Sequence, residues 1–134
     1  MNADPTPTLP GRPGDPLRGR HIVLGVTGSI SCYKAIEVAS RLVQAGAIVD
    51  IAMTEHAAQF VTPLTFRSLT AREPYLSMWQ PYAGVGEAHV ELARRADAML
   101  IAPATASTLA RLANGLADDQ VSLTALATTA PLLV

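Results

Sequence analysis

The chain has 134 residues, a net charge near −1, 49% hydrophobic and 16% charged residues, the composition of one domain with a real core, able to bury about two-thirds of its unfolded surface. The near-neutral charge gives no basic footprint for nucleic acid. No apolar run reaches membrane-spanning length, no signal-peptide core opens the chain, and the lone Cys32 has no disulfide mate; a cytoplasmic protein is expected.

Residues 1–20 hold five of the ten prolines, with Gly11, Gly14 and Gly19, and are expected to form a disordered leader outside the fold. The folded domain is expected over residues 21–134. Ile22, Val23, Leu24 and Val26 surround Gly25 in an unbroken apolar run, the pattern of a strand buried on both faces. Thr27-Gly28-Ser29 breaks that run, and from Ile30 the residues Ile30, Tyr33, Ala35, Val38, Ala39, Leu42 and Val43 recur at helical spacing. Strand, glycine turn and helix N-terminus in that order make an anion site from free N–H groups and the helix dipole. Gly25 and Gly28 would let the backbone approach a ligand, and Ser29 and Ser31 add hydroxyls. Neither the dinucleotide fingerprint nor the Walker pattern is present. On this stretch alone, phosphate binding and a plain capped turn stand level.

Gly46 is placed to end the first helix, and Ala47–Met53 reads as a second strand. Thr54 caps a helical turn carrying Ala57, Ala58 and Phe60, and Pro63 opens a helix through Leu69. Residues 73–86 are irregular, a candidate working loop in which Trp79 and Tyr82 are read first as packing residues. A short helix over His89–Arg95 precedes a third strand, Asp97–Ala102. Ala104–Asn114 is helical and stops at Gly115; Asp118 and Asp119 start a last helix through Ala127, and Pro131–Val134 begins a fourth strand. Alternating strands and helices argue a doubly wound parallel α/β sheet. Ligands of such sheets bind outside the carboxyl ends of the strands. Those ends carry Thr27-Gly28-Ser29, Thr54 and Pro103-Ala104-Thr105-Ala106-Ser107-Thr108, all small and hydroxyl-rich. That coincidence moves the phosphate reading ahead of the plain turn.

Four separated segments carry a resemblance: GVTGSISCYKAIEVASRLVQAGA, MTEHAAQFVTPLTFRSLT, HVELARRADAMLIAPATASTLARLANGLADD and ALATTAPLLV. In order and spacing they resemble the flavin-dependent cysteine decarboxylases, nearest to members acting on phosphopantothenoylcysteine in coenzyme A synthesis. The resemblance implies a three-layer, Rossmann-like (flavodoxin-like) flavoprotein that binds FMN and oxidises the cysteine end of its substrate so that carbon dioxide is lost. It implies that Gly28, Ser29 and Ile30 form the first FMN turn, that Thr54 meets the phosphate, and that Thr105, Ala106, Ser107 and Thr108 form the third FMN segment. His89, in Ala88-His89-Val90-Glu91-Leu92, matches the active-site histidine. No metal is implied, and relatives assemble as homotrimers, often grouped into dodecamers. The other readings are a non-catalytic FMN-binding module, a peptidyl-cysteine decarboxylase and a flavin prenyltransferase. Ser107 stands where the family usually has Asn, and Ser31-Cys32 where it usually has Ala-Ala. The family's Pro-x-Met-Asn motif and cysteine flap do not occur in the sequence, so the domain is expected to be incomplete at its C-terminus. Cys32 is read as a small core residue, Asp118 and Asp119 as capping or subunit-contact residues, Glu91 as a surface residue or one that supports a site residue, and His21 and His56 as having no role.

Overall fold

The computed structural model describes residues 12–79 and 87–134. Four parallel strands, β1 (His21–Val26), β2 (Ile48–Met53), β3 (Ala98–Ile101) and β4 (Leu132–Leu133), lie in the order β2-β1-β3-β4. Val23 pairs with Asp50 on one side and Met99 on the other, fixing the register of β2, β1 and β3. Helices α1 (Cys32–Gln44), α2 (Pro63–Thr70), α3 (Ala88–Arg95), α4 (Ala106–Asn114) and α5 (Gln120–Ala127) connect them, with a 3-10 turn at Ala57–Gln59. The expected doubly wound flavodoxin-like sheet is the observed one.

Strand alternation divides the core into two layers. Leu24, Val26, Val49, Ile51 and Met53 face Cys32, Ala35 and Ala39 of α1 and Phe66 of α2. Val23, Ala52, Met99 and Ile101 face Ala88 and Leu92 of α3 and Val121 and Ala125 of α5. Gly25 belongs to this second interface. A Cβ on it would stand 2.9 Å from Val121 Cγ1 and 3.4 Å from both Ile101 and Met99 side-chain atoms. Its bareness therefore serves helix–sheet packing, a correction to its expected place beside a ligand.

The second layer contains the most buried charges among the described residues. Arg72 donates from Nε to Asp50 Oδ1 at 2.7 Å, and Arg95 donates from Nη2 to Asp50 Oδ2 at 3.1 Å. The Arg72 and Asp50 side chains are 1% and 2% exposed. The segment after Arg72 then runs beside β2: Tyr75 donates its N–H to Ile51 O and accepts from Met53 N–H, both at 2.8 Å. This segment leads directly to Leu76–Trp79, so the buried ion pair anchors the start of that stretch.

Three expectations change at the element boundaries. Residues 12–20 dock on the fold instead of standing apart from it: Leu17 N–H bonds Ala45 O at 2.8 Å, Ile48 N–H bonds Arg20 O at 2.8 Å, and Leu17 packs on the first core layer. Gly46, at φ +93°, makes room for this contact, since a Cβ there would lie 2.8 Å from Asp15 Cβ. The rest of the expected leader, residues 1–11, lies outside the described residues. Helix α1 starts at Cys32 rather than Ile30 because Ser29 O and Oγ take the N–H groups of Cys32 and Ser31 and prolong the turn. Ile30 and Tyr33 are consequently 77% and 60% exposed and are not part of the helix's buried face.

Candidate functional site

The carboxyl ends of β1 and β3 are neighbours at the point where the connections turn from one face of the sheet to the other. In doubly wound sheets that point is the ligand crevice. Thr27 ties its two sides together: its Oγ1 donates to Pro103 O and accepts from Thr105 N–H at 3.0 Å. The Ala102–Pro103 peptide is cis. Both hydrogen-bonding directions of the Thr27 hydroxyl are thereby used, which makes it a brace for the crevice.

Gly28 follows, and its bareness is steric. A Cβ on it would meet His56 Cβ at 2.4 Å and the His56 carbonyl carbon at 2.7 Å. The first and second turns are thus in backbone contact. Thr54 shapes the second turn by accepting Ala57 N–H at 3.1 Å, as a cap does, and its own O–H stays able to donate. Thr105 caps α4, accepting Thr108 N–H at 3.1 Å and donating to Thr108 Oγ1 at 3.1 Å. The N–H groups of Gly28, Ser29, Ile30, Ala106 and Ser107 have no acceptor among the described residues. A set of unpaired N–H groups and hydroxyls at two adjoining turns is suited to an anion.

A cavity of about 370 Å³ opens there, within the size range of small-molecule sites. Gly28, Thr54, Thr105, Ser107 and Thr108 line it, joined by Thr27. Ser29, Ile30 and Ala106 flank the turns without lining the cavity. Leu76, Ser77, Met78 and Trp79 form a further wall, held to α5 by Gln120, whose Nε2 donates to Ser77 O at 2.8 Å. Trp79 is 85% exposed, so it borders the cavity instead of packing inside; Tyr82 lies outside the described residues.

His89 does not line this cavity. It stands in the first turn of α3, and since α3 returns antiparallel to the strands, that turn points to the same sheet edge. Its Nδ1 is buried with no hydrogen-bond partner among the described residues. Cys32 is buried as expected, its thiol donating to Thr27 O at 3.0 Å. Asp119 caps α5 in a reciprocal pair with Ser122, whereas Asp118 pairs with Arg111 of α4 and borders the cavity. Hydrogen bonding to Asp118, then its charge, raises the Arg111 pKa further above its ordinary value, so the guanidinium is permanently charged.

Sequence reasoning missed Arg111, Glu55 and His56 as lining residues. Arg111 had a signal: it stands three and four positions after Thr108 and Ser107 on one helix, and therefore on their face. His56, read as having no role, is brought in by the close approach of its backbone to Gly28.

Residues 11–134 match the Flavoprotein family. The chain belongs to that family. This flavoprotein is 44% identical over 118 residues to the coenzyme A biosynthesis bifunctional protein CoaBC of Bacillus subtilis, covering 88% of the chain and 29% of that relative. The CoaBC protein of Escherichia coli K12 is 45% identical over the same shares. The flavoprotein chain thus spans under a third of the length of these curated relatives. Among solved structures, the FMN-dependent cysteine decarboxylase SpaF aligns with a TM-score of 0.77 at 33% identity, over 85% of this chain and 66% of that one. A PPC decarboxylase mutant complexed with pantothenoylaminoethenethiol aligns with a TM-score of 0.69 at 28% identity, over 86% and 65%.

Proposed function

We propose that this flavoprotein binds FMN in the crevice between β1 and β3 and serves the decarboxylation of 4′-phosphopantothenoylcysteine to 4′-phosphopantetheine. The observation that carries the reading is the convergence of three hydroxyl-bearing turns, Gly28, Thr54 and Thr105–Thr108, on one cavity in a chain of this family. The donor chemistry fits the cofactor. A phosphate monoester needs N–H groups and hydroxyls, and the first and third turns offer unpaired N–H groups while Thr54 retains a donating O–H.

FMN, when bound, supplies the two-electron oxidation and reduction that make loss of the carboxylate easy. The chain's own residues hold and orient it. Gly28, Thr54 and the α4 N-terminus take the phosphate, and Leu76, Met78 and Trp79 supply apolar surface beside the cavity. His89 is assigned the proton-handling role, supported by its buried Nδ1, which has no hydrogen-bond partner among the described residues, in the first turn of α3. Homotrimeric or dodecameric assembly in the cytoplasm belongs to the same proposal; no helix among the described residues is long and apolar enough to cross a membrane.

A second reading is favoured by the SpaF alignment, whose TM-score is higher than that of the PPC decarboxylase structure: decarboxylation of a cysteine in a different substrate. The deciding experiment incubates the chain with FMN, separates free flavin by gel filtration and records the visible spectrum. Co-eluting flavin with release of 4′-phosphopantetheine supports the first reading, and flavin binding with turnover only of a peptidyl C-terminal cysteine supports the second. Bound flavin without either turnover leaves a binding module, and a colourless protein refutes the site. His89→Asn should keep FMN bound while abolishing turnover.

A further inference from the structure

We infer that Arg111 is the cavity's receptor for a ligand phosphate monoester and that Asp118 is the stand-in anion that holds its guanidinium in place until the phosphate arrives. This rests on the flavin reading above and assigns it a charged contact that none of the three hydroxyl turns provides. Among the described lining residues Arg111 is the one permanent cation, set against Glu55, Asp118 and Asp119. A phosphate dianion entering beside three carboxylates is repelled unless a cation offsets them. Asp119 is partly offset by its place as the α5 cap, where it accepts Ser122 N–H at 2.8 Å. Arg111 is therefore the group on which the balance turns.

The geometry of α4 makes the contact reachable. Ser107, Thr108 and Arg111 share the cavity-facing side of the helix. Long side chains on a helix lean toward its N-terminus, over the residues three and four positions earlier. For Arg111 that direction leads to Thr108 and Ser107, the open N–H end of α4. The Asp118 side chain is 63% exposed and that of Arg111 36%. An ion pair so open to water is weak and easily exchanged, whereas a guanidinium meets phosphate through two parallel hydrogen bonds.

The test titrates the full chain and its Arg111→Gln, Arg111→Lys and Asp118→Asn variants with FMN and with riboflavin, which lacks the phosphate, by quenching of flavin fluorescence. A second arm titrates the FMN-saturated proteins with 4′-phosphopantetheine and with pantetheine. Arg111→Gln should weaken the phosphate-bearing member of one pair by about tenfold or more, as loss of a charge-assisted hydrogen bond does. Its unphosphorylated counterpart should change by less than about twofold, a change equivalent to well under one ordinary hydrogen bond. Arg111→Lys should recover part of the loss, and Asp118→Asn should tighten the phosphate-bearing ligand. The pair that responds tells whether the phosphate is the flavin's or the substrate's, and either result supports the inference. Equal loss for both members of each pair, or no loss in any, overturns it. If the unmodified chain binds neither flavin, the flavin reading fails and the inference fails with it; if it binds both and the variants do not discriminate, the inference alone fails.

Discussion

Asp50→Ala should be among the most destabilising single substitutions in this chain. The carboxylate accepts from Arg72 Nε at 2.7 Å and Arg95 Nη2 at 3.1 Å, and the Asp50 and Arg72 side chains are at most 2% exposed. Removing one member of a buried ion pair leaves an uncompensated charge, at a cost of about 3–5 kcal/mol. Against a total domain stability of about 5–15 kcal/mol, that is a large share. Both arginines make further contacts, which favours the lower end of the range. Arg72→Met should cost less, because Arg95 still neutralises Asp50. The double variant should then be more stable than the two single losses predict, by a coupling of about 1–3 kcal/mol. The assay is urea unfolding followed by far-ultraviolet circular dichroism, at one protein concentration for all four proteins. A loss for Asp50→Ala below about 1 kcal/mol, the scale of an exposed pair, or strict additivity in the double variant, would refute the argument. The same substitution should lower flavin affinity, since Arg72 anchors the segment that continues into the cavity wall.

Gly25→Ala should cost about 1–3 kcal/mol through overpacking against Val121 Cγ1 at 2.9 Å, and Val121→Ala should relieve part of it; thermal unfolding of the two singles and the double checks this. Gly28→Ala should cost more than Gly25→Ala, because its nearest obstacles include the His56 backbone at 2.7 Å instead of a movable side-chain tip, and an equal or smaller loss in the same measurement would count against the close approach of the two turns. Thr54→Val should lose about 0.5–2 kcal/mol with the cap and weaken FMN relative to riboflavin, and Thr54→Ser should restore both; a serine variant as poor as valine would remove the hydroxyl from either role.

The sheet was legible because its strands carry continuous apolar runs that only burial on both faces explains, and several helix ends because Gly46, Gly115 and Asp119 carry the capping chemistry such ends require; α4 was read from Ala104, two residues before its start at Ala106 after the Thr105 cap. The edge of the site was legible for a related reason: hydroxyl-rich turns after three strands of one parallel sheet must converge. What stayed hidden depends on contacts between segments distant in sequence. Nothing in the sequence pairs Asp50 with Arg72; the β1–β2 register turns Asp50 toward the α3 layer, where Arg72 meets it. Gly25 and Gly28 look alike as ligand-facing glycines, and only the positions of Val121 and His56 distinguish their tasks. The start of α1 was misplaced because Ile30 continues a helical apolar spacing, while hydrogen bonds to Ser29 extend the turn through it. No periodicity rule weighs a local side-chain bond against a hydrophobic repeat.

On the proposed FMN reading, Thr27 accounts for the departure of the candidate site from better-known nucleotide motifs. In a dinucleotide fold the second glycine of the turn lets the backbone close on the pyrophosphate. Here the corresponding position holds a buried threonine whose hydroxyl joins the β1 turn to Pro103 and Thr105 of the β3 turn. That bond fixes the distance between two sets of open N–H groups before any ligand is present. Preorganised donors lose less freedom on binding than donors that must be gathered. On that reading the crevice needs no lysine at its centre and no third glycine. It needs the β1 and β3 ends held together, and for that a side chain able to donate and accept at once is better suited than a bare backbone.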